Sequence, residues 1–161
     1  MINLNFEEQT IKVRNRFDEI TMKEFDSFIS MISNNPGVRP LVKIIEGLCD
    51  KEIDFRKLSL GTYMQLLDNF LVDDITEHTP SFKYDKYSIK TKKGELTLTG
   101  KQVSQLEKVY KGEIEDKSSM VISILFAGEY NEDLFKLIRQ EKASEFIGLL
   151  NLVKPIEINI V

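Results

Sequence analysis

The sequence predicts an α+β fold, predominantly helical with short β-hairpins, and offers two related three-helix halves as its organisation. Three observations carry this. Apolar residues recur at three- and four-residue spacing over most of the chain. Two Thr-x-x-Glu/Gln helix starts, at Thr21 and Thr99, stand 78 positions apart. Period-two alternation is confined to short stretches ahead of each start and at the end of the chain. Residues 1–80 would form an N-terminal half with a leading hairpin and 81–161 a C-terminal half with its own, packed as one globular unit.

The elements follow in order. "INLNF" and "TIKVR" alternate apolar and polar around "EEQ", a strand hairpin. Thr21 and Glu24 form a capping box, in which each side chain satisfies the other's backbone N–H. Phe25, Phe28, Ile29 and Ile32 then form one helical stripe, which "NNPG" ends. A wide apolar face over Val38 to Asp50 predicts a central helix. Ser59 is the candidate N-cap of a third, with Tyr63, Leu66, Leu67, Phe70 and Leu71 as its stripe. "YSIKT-KKG-ELTLT" reads as a second hairpin. Thr99 and Gln102 repeat the capping box ahead of Val103, Leu106, Val109 and Tyr110. "SMVISILFAG" predicts a central apolar helix, "NEDLFKLIRQ" a short one and "EKASEFIGLLNLV" the last, stopped by Pro155. The tail "IEINIV" alternates like a final strand.

The halves can be aligned. At the offset of 78, Phe25 meets Val103, Phe28 meets Leu106, Val42 meets Met120 and Leu48 meets Phe126; with one insertion, Leu67 meets Phe146. The match fails where Ile29 meets Glu107 and Ile45 meets Ser123. Shared periodicity enforces part of such a match, so the test of duplication is whether the helices themselves correspond.

Composition bounds the function. With 42% hydrophobic residues the chain can bury a core, and a net charge of −4 gives it no global pull toward nucleic acid or anionic membrane. Cys49 is the only cysteine, so no internal disulfide forms. No basic-then-apolar leader opens the chain, and no apolar run approaches the roughly 18 residues that span a bilayer. The expected setting is soluble and intracellular.

Little in the sequence demands catalysis. His78, the sole histidine, stands four residues after Asp74 and beside Glu77, spacing that could hold a metal. Its place before a proline reads better as a solvated acidic helix end. "DKEIDF" resembles the start of a calcium loop, but Phe55 stands where glycine is required and Gly61 where a bidentate Glu is required. "GEYNED" reads as a turn capped by Asn131. No Gly-rich phosphate loop occurs. Cys49 lies on an apolar face, where it behaves as a small hydrophobe. No catalytic residue, metal or cofactor is expected.

The candidate interaction surface is the lysine-rich stretch from Phe82 to Lys101. Lys83, Lys86, Lys90, Lys92 and Lys93 interleave with Phe82, Tyr84 and Tyr87, a combination able to hold phosphates and stack bases. Lysines also keep a strand edge from mis-pairing, and the acidic total and lack of arginine here argue against nucleic acid. Ile156, Ile158 and Ile160 of the tail complete the set, as a strand that adds to a sheet edge.

"FDEITMKEFDSFISMI", followed by "LVKIIEGLCDKEIDFRKLSLGTYMQLLDNFL", resembles the small tail-assembly proteins of tailed bacteriophages, the tail assembly chaperones and hub-assembly factors. Those pair an E-I-T-hydrophobic-K helix start with a helix ending in an apolar-Gly segment and an acidic linker. The resemblance covers residues 17–71 and, through "LTLTGKQVSQLEKV", more loosely 95–153. It implies a non-enzymatic protein that binds other tail or baseplate proteins, such as the tape measure or a hub component, in the host cytoplasm or within the virion. Homo-oligomers fit the same reading. The alternative is a nucleic-acid-binding regulator using the hairpin at 82–101.

Overall fold

A computed structural model describes residues 1–34, 43, 45–69, 81–92, 95–112 and 116–160. The described chain is α+β and mostly helical, with two separate two-stranded antiparallel sheets.

Strands β1 (Ile2–Phe6) and β2 (Gln9–Val13) pair with Leu4 opposite Ile11. The alternation sends Leu4, Ile11 and Val13 into the core. Only Glu7 and Glu8 connect the strands, with φ of 48° and 62°. Positive φ at both positions suits the twist of a two-residue hairpin but costs an L-residue with a Cβ. Glu8→Gly is therefore expected to raise stability by about 1 kcal/mol, read as a higher urea midpoint with an unchanged slope; a lower midpoint would contradict it.

Helix α1 (Met22–Asn34) starts at the predicted box: Glu24 N–H donates to Thr21 Oγ1 at 3.2 Å and Thr21 N–H to Glu24 Oε1 at 3.1 Å. Glu24 is also held in a fork by Arg14, at 3.0 and 2.8 Å. Its buried face differs from the predicted stripe. Met22 and Asp26 are buried, Phe25 and Phe28 are half-buried, and Ile29 is exposed. Exposure of Ile29 also explains its mismatch with Glu107. The Ile32 side chain lies outside the described residues.

Residues 43 and 45–48 are helical, but Cys49 and Asp50 have left the helix, Cys49 bridging to Val13 instead; residues 38–42 and 44 of the second predicted helix lie outside the described residues. Ser59 caps α2 (Leu60–Asp68), its Oγ accepting from Thr62 N–H at 3.2 Å. Leu66 of the α2 stripe is buried; the Tyr63 and Leu67 side chains, Phe70 and Leu71 fall outside the described residues, as do Asp74, Glu77 and His78.

The second hairpin pairs differently from the reading. Strand β4 (Tyr87–Lys90) takes β3 (Ser81–Tyr84) as its partner, turning at Asp85 and Lys86. "ELTLT" contributes a single bridged pair, Lys92 with Glu95, whose N–H and C=O groups exchange two 3.0 Å bonds. The aromatic and β-branched residues of "FKY" and "YSI" bury better against the core than threonines would, which selects that pairing.

Helix α3 (Gly100–Lys111) carries the second box, with Gln102 N–H to Thr99 Oγ1 at 3.2 Å and Thr99 N–H to Gln102 Oε1 at 2.9 Å. Helix α4 (Lys117–Ala127) is the central helix, with Val121 through Phe126 all buried, and Gly128 ends it at φ 83°. Helix α5 (Glu132–Gln140) begins with Asn131 accepting from Leu134 N–H at 3.0 Å. A 3₁₀ turn (Ala143–Glu145) leads to α6 (Ile147–Ile160).

The tail corrects the sequence. Ile156, Ile158 and Ile160 lie in the last turns of α6, so they form no strand, and Pro155 does not stop the helix. Five alternating residues do not outweigh propagation of a helix already nucleated by Ile147–Val153.

One core joins both halves, from Leu4 to Val153. The linking segment before α1 docks on residues 141–144: Met22 N–H donates to Glu141 O, Ala143 N–H to Ile20 O and Ser144 N–H to Phe17 O, at 2.9 to 3.0 Å. The 78-residue offset lays α1 onto α3 almost end to end. With the one-residue insertion, α2 maps instead onto 139–147, which holds the end of α5, the 3₁₀ turn and the first residue of α6. The helical correspondence therefore stops short of the third helix.

Candidate interaction surface

Alternation along β3 and β4 sorts the candidate residues onto two faces. Phe82, Tyr84, Tyr87 and Ile89 point inward and are half-buried against the core. Lys83, Ser88 and Lys90 point outward, with Lys86 at the turn and Lys92 just beyond, all exposed. Lys93 lies outside the described residues. None of Lys83, Lys86, Lys90 or Lys92 forms an ion pair among the described residues; Lys86 stands 5.5 Å from the centre of the Tyr87 ring. The interleaving in sequence thus becomes segregation in space, a basic outer face over an aromatic inner one.

The inner face is a structural anchor. Tyr84 meets Phe146 edge-on at 5.3 Å between centroids and Phe126 at 6.2 Å, and Phe126 meets Phe146 at 6.3 Å. The Tyr84 hydroxyl donates to Glu141 Oε1 at 3.2 Å. Burial, then the negative Glu141, pushes the Tyr84 phenol up to about 12. Phe82 approaches α6 at Gly148, where a methyl group would stand 3.4 Å from its Cε1. These rings are occupied in holding the hairpin down and present no stacking platform.

A second organised polar site, missed in the sequence, sits inside. Asp26 of α1 is 1% exposed and reaches the first turn of α4. Its Oδ1 accepts from Ser119 N–H at 3.3 Å, and its Oδ2 accepts from the Ser119 hydroxyl. The residue at the α4 N-cap, Asp116, makes no capping bond; it pairs with Arg139 at 3.0 Å instead. An anion at a helix N-terminus is favourable, yet burial dominates and pushes Asp26 up to about 6, with the negative Asp116 adding to the shift. The signal was an aspartate one position after Phe25, within an otherwise apolar helix face.

Gln102 works at the other end of α4. Beyond its capping bonds, its Nε2 donates to Ile124 O and Leu125 O at 3.2 and 3.4 Å. Ser123, which breaks the apolar match with Ile45, exchanges bonds of 3.1 Å with the Asn131 backbone. These polar groups fix helices against one another.

The remaining candidates are also engaged. Cys49 is half-buried, donates to Ile45 O at 3.2 Å, and is pushed up to about 11 by burial and then by Asp50 and Glu46, the opposite of an activated thiol. Asp50 accepts from Lys12 N–H at 2.8 Å, and Asp54 from Arg56 at 3.0 Å. An open cleft of about 880 Å³ is lined by Lys43, Glu46, Gly47, Glu52, Ile53, Asp54 and Arg56, charges of both signs. Among the described residues no three His, Cys, Asp or Glu side chains converge as a metal site requires, and no helix is long and apolar enough to cross a membrane. No protein-family model matches the chain, and neither a curated protein nor a solved structure matches it.

Proposed function

We propose that the protein is a non-enzymatic tail-assembly or virion component of a tailed bacteriophage that acts by binding other tail or baseplate proteins. The resemblance of residues 17–71 to tail-assembly proteins is the source of this reading. The observation that carries it is the placement of the perturbed groups. Among the described residues Asp26, Cys49 and Tyr84 are the groups pushed furthest from their ordinary values, and each is engaged in packing or hydrogen bonding within the fold. What faces solvent is suited to binding: a lysine face on β3–β4 and an uncharged strand at the chain's start. Affinity capture of the tagged chain from infected cells is expected to retain a tape-measure or hub protein. Recovery of the bait alone, at expression levels matching infection, would overturn the reading.

A nucleic-acid-binding regulator is the second reading, favoured by the outward Lys83, Lys86, Lys90 and Lys92. Inward placement of Phe82, Tyr84 and Tyr87 leaves it phosphate contacts without base stacking. Phosphate binding by four lysines should weaken steeply with salt, with a log–log slope of about −3 to −4. Absence of DNA or RNA affinity at low salt removes this reading.

A further inference from the structure

We propose that the outer edge of β1 pairs antiparallel with β1 of a second copy of the chain, about a two-fold axis at Leu4. The inference goes beyond the tail-assembly reading and stands on the first hairpin alone.

The two edges of that hairpin are treated differently. Lys12 exchanges bonds with Asp50: its N–H donates to Asp50 Oδ1 and its C=O accepts from Asp50 N–H at 3.0 Å. Arg14 N–H donates to Leu48 O at 3.1 Å, and Lys51 Nζ donates to Thr10 O at 3.3 Å. The outer edge of β2 is therefore covered. Thr10 and Lys12 direct their backbone groups away from β1, so their cross-strand partners Asn5 and Asn3 direct theirs away from β2. Among the described residues nothing pairs with the outward N–H and C=O groups of Asn3 and Asn5. No lysine, proline or bulge within "INLNF" protects this edge, which is where strands recruit other strands.

The strand is its own complement. When residues whose numbers sum to eight are paired, Asn3 faces the partner's Asn5 and Asn5 the partner's Asn3. Those are hydrogen-bonded pairs, giving four backbone bonds. On the inner face Leu4 meets Leu4, and Ile2 meets Phe6. Ile2 and Phe6 are the half-buried apolar rim of this sheet, and the pairing covers each with the other. On the outer face the asparagine amides stand opposite each other. The pattern apolar-Asn-apolar-Asn-apolar reads the same in both directions, which favours a second copy over an unrelated strand. Five residues of strand bury less than a standard protein interface, so the dimer forms reversibly, in the micromolar range or weaker.

The test is sedimentation equilibrium of the purified full chain across micromolar to millimolar concentration, with no other protein present. Its outcome is thus independent of whether a tail protein is captured. A monomer–dimer equilibrium is expected. Asn5→Pro removes an outward N–H without breaking the β1–β2 ladder, and is expected to weaken dimerisation at least about tenfold. Thr10→Pro, opposite on the covered edge, places the same ring in the same hairpin and should leave the dimer within about threefold of wild type. Backbone amide exchange of wild-type Asn3 and Asn5, which needs no variant, should slow as concentration rises. A chain that stays monomeric throughout, with concentration-independent exchange at Asn3 and Asn5, overturns the proposal; so does a dimer that Asn5→Pro leaves intact.

Discussion

Phe146→Ala is expected to lower the unfolding free energy by about 3–5 kcal/mol. Phe146 is 1% exposed and stands where the 3₁₀ turn passes into α6, with rings of Tyr84 and Phe126 on two sides. Removing it deletes the transferred area of the ring, leaves a cavity that two helices and a hairpin cannot jointly close, and abolishes two edge-to-face contacts. A loss of this size is a large part of the roughly 5–15 kcal/mol that holds a domain together. The hairpin should loosen first. Since the chain has no tryptophan, its five tyrosines dominate the near-ultraviolet dichroism, and a Tyr84→Phe control isolates the share that Tyr84 contributes. Phe146→Leu, which refills most of the volume, should recover more than half of the loss. A cost below about 2 kcal/mol in denaturant titration would mean that the cluster collapses around the gap, and that the hairpin is not anchored by it.

Asp26→Asn is expected to stabilise the protein above pH 6 and to be nearly silent at pH 4. The folded state raises this carboxyl from 3.8 to about 6. Between those values the native protein binds more protons at Asp26 than the unfolded chain does, so the contribution of this group to stability falls as pH rises. It is fully present below about 4 and lost once the pH passes about 6. Asparagine keeps both bonds, accepting from Ser119 N–H and donating to its hydroxyl, without the charge. The difference between variant and wild type should therefore grow from near zero at pH 4 to at most about 3 kcal/mol at pH 7. Comparing the pair cancels the other carboxylates, which pull stability the opposite way in acid. A pH-independent difference would show that the carboxylate is satisfied as a charge, by the helix N-terminus and Ser119 together.

The features legible in sequence were those decided within three residues. The boxes at Thr21 and Thr99 and the caps at Ser59 and Asn131 each join a side chain to an N–H three positions on, a reach set by local helix geometry whatever else those side chains touch. The apolar excess of "MVISILF" fixed α4 as central for the same reason of scale. Illegible features were settled by partners far along the chain. Asp26 rotates the buried face of α1 because Ser119 waits 93 residues away. "SFKY" displaces "ELTLT" as the partner of β4 because Phe126 and Phe146 offer its rings a site. "IEINI" continues a helix whose start lies in an apolar run before it. The candidate site was half legible. Alternation in "FKY" and "YSIK" already places lysine and aromatic on opposite faces; reading them as one mixed surface ignored the strand period.

Helix α4 is held at its beginning by Asp26 and at its end by Gln102, one from each half of the chain. This gives the molecule a particular assembly history. Asp26 leaves the ribosome long before Ser119 is made, so the first half must wait, its carboxylate solvated, until the helix it terminates arrives. Neither 1–80 nor 81–161 owns a finished interior, and separate fragments should reassociate rather than fold alone. Unfolding should likewise run as a single cooperative event, because the helix that both halves share cannot leave one without releasing the other.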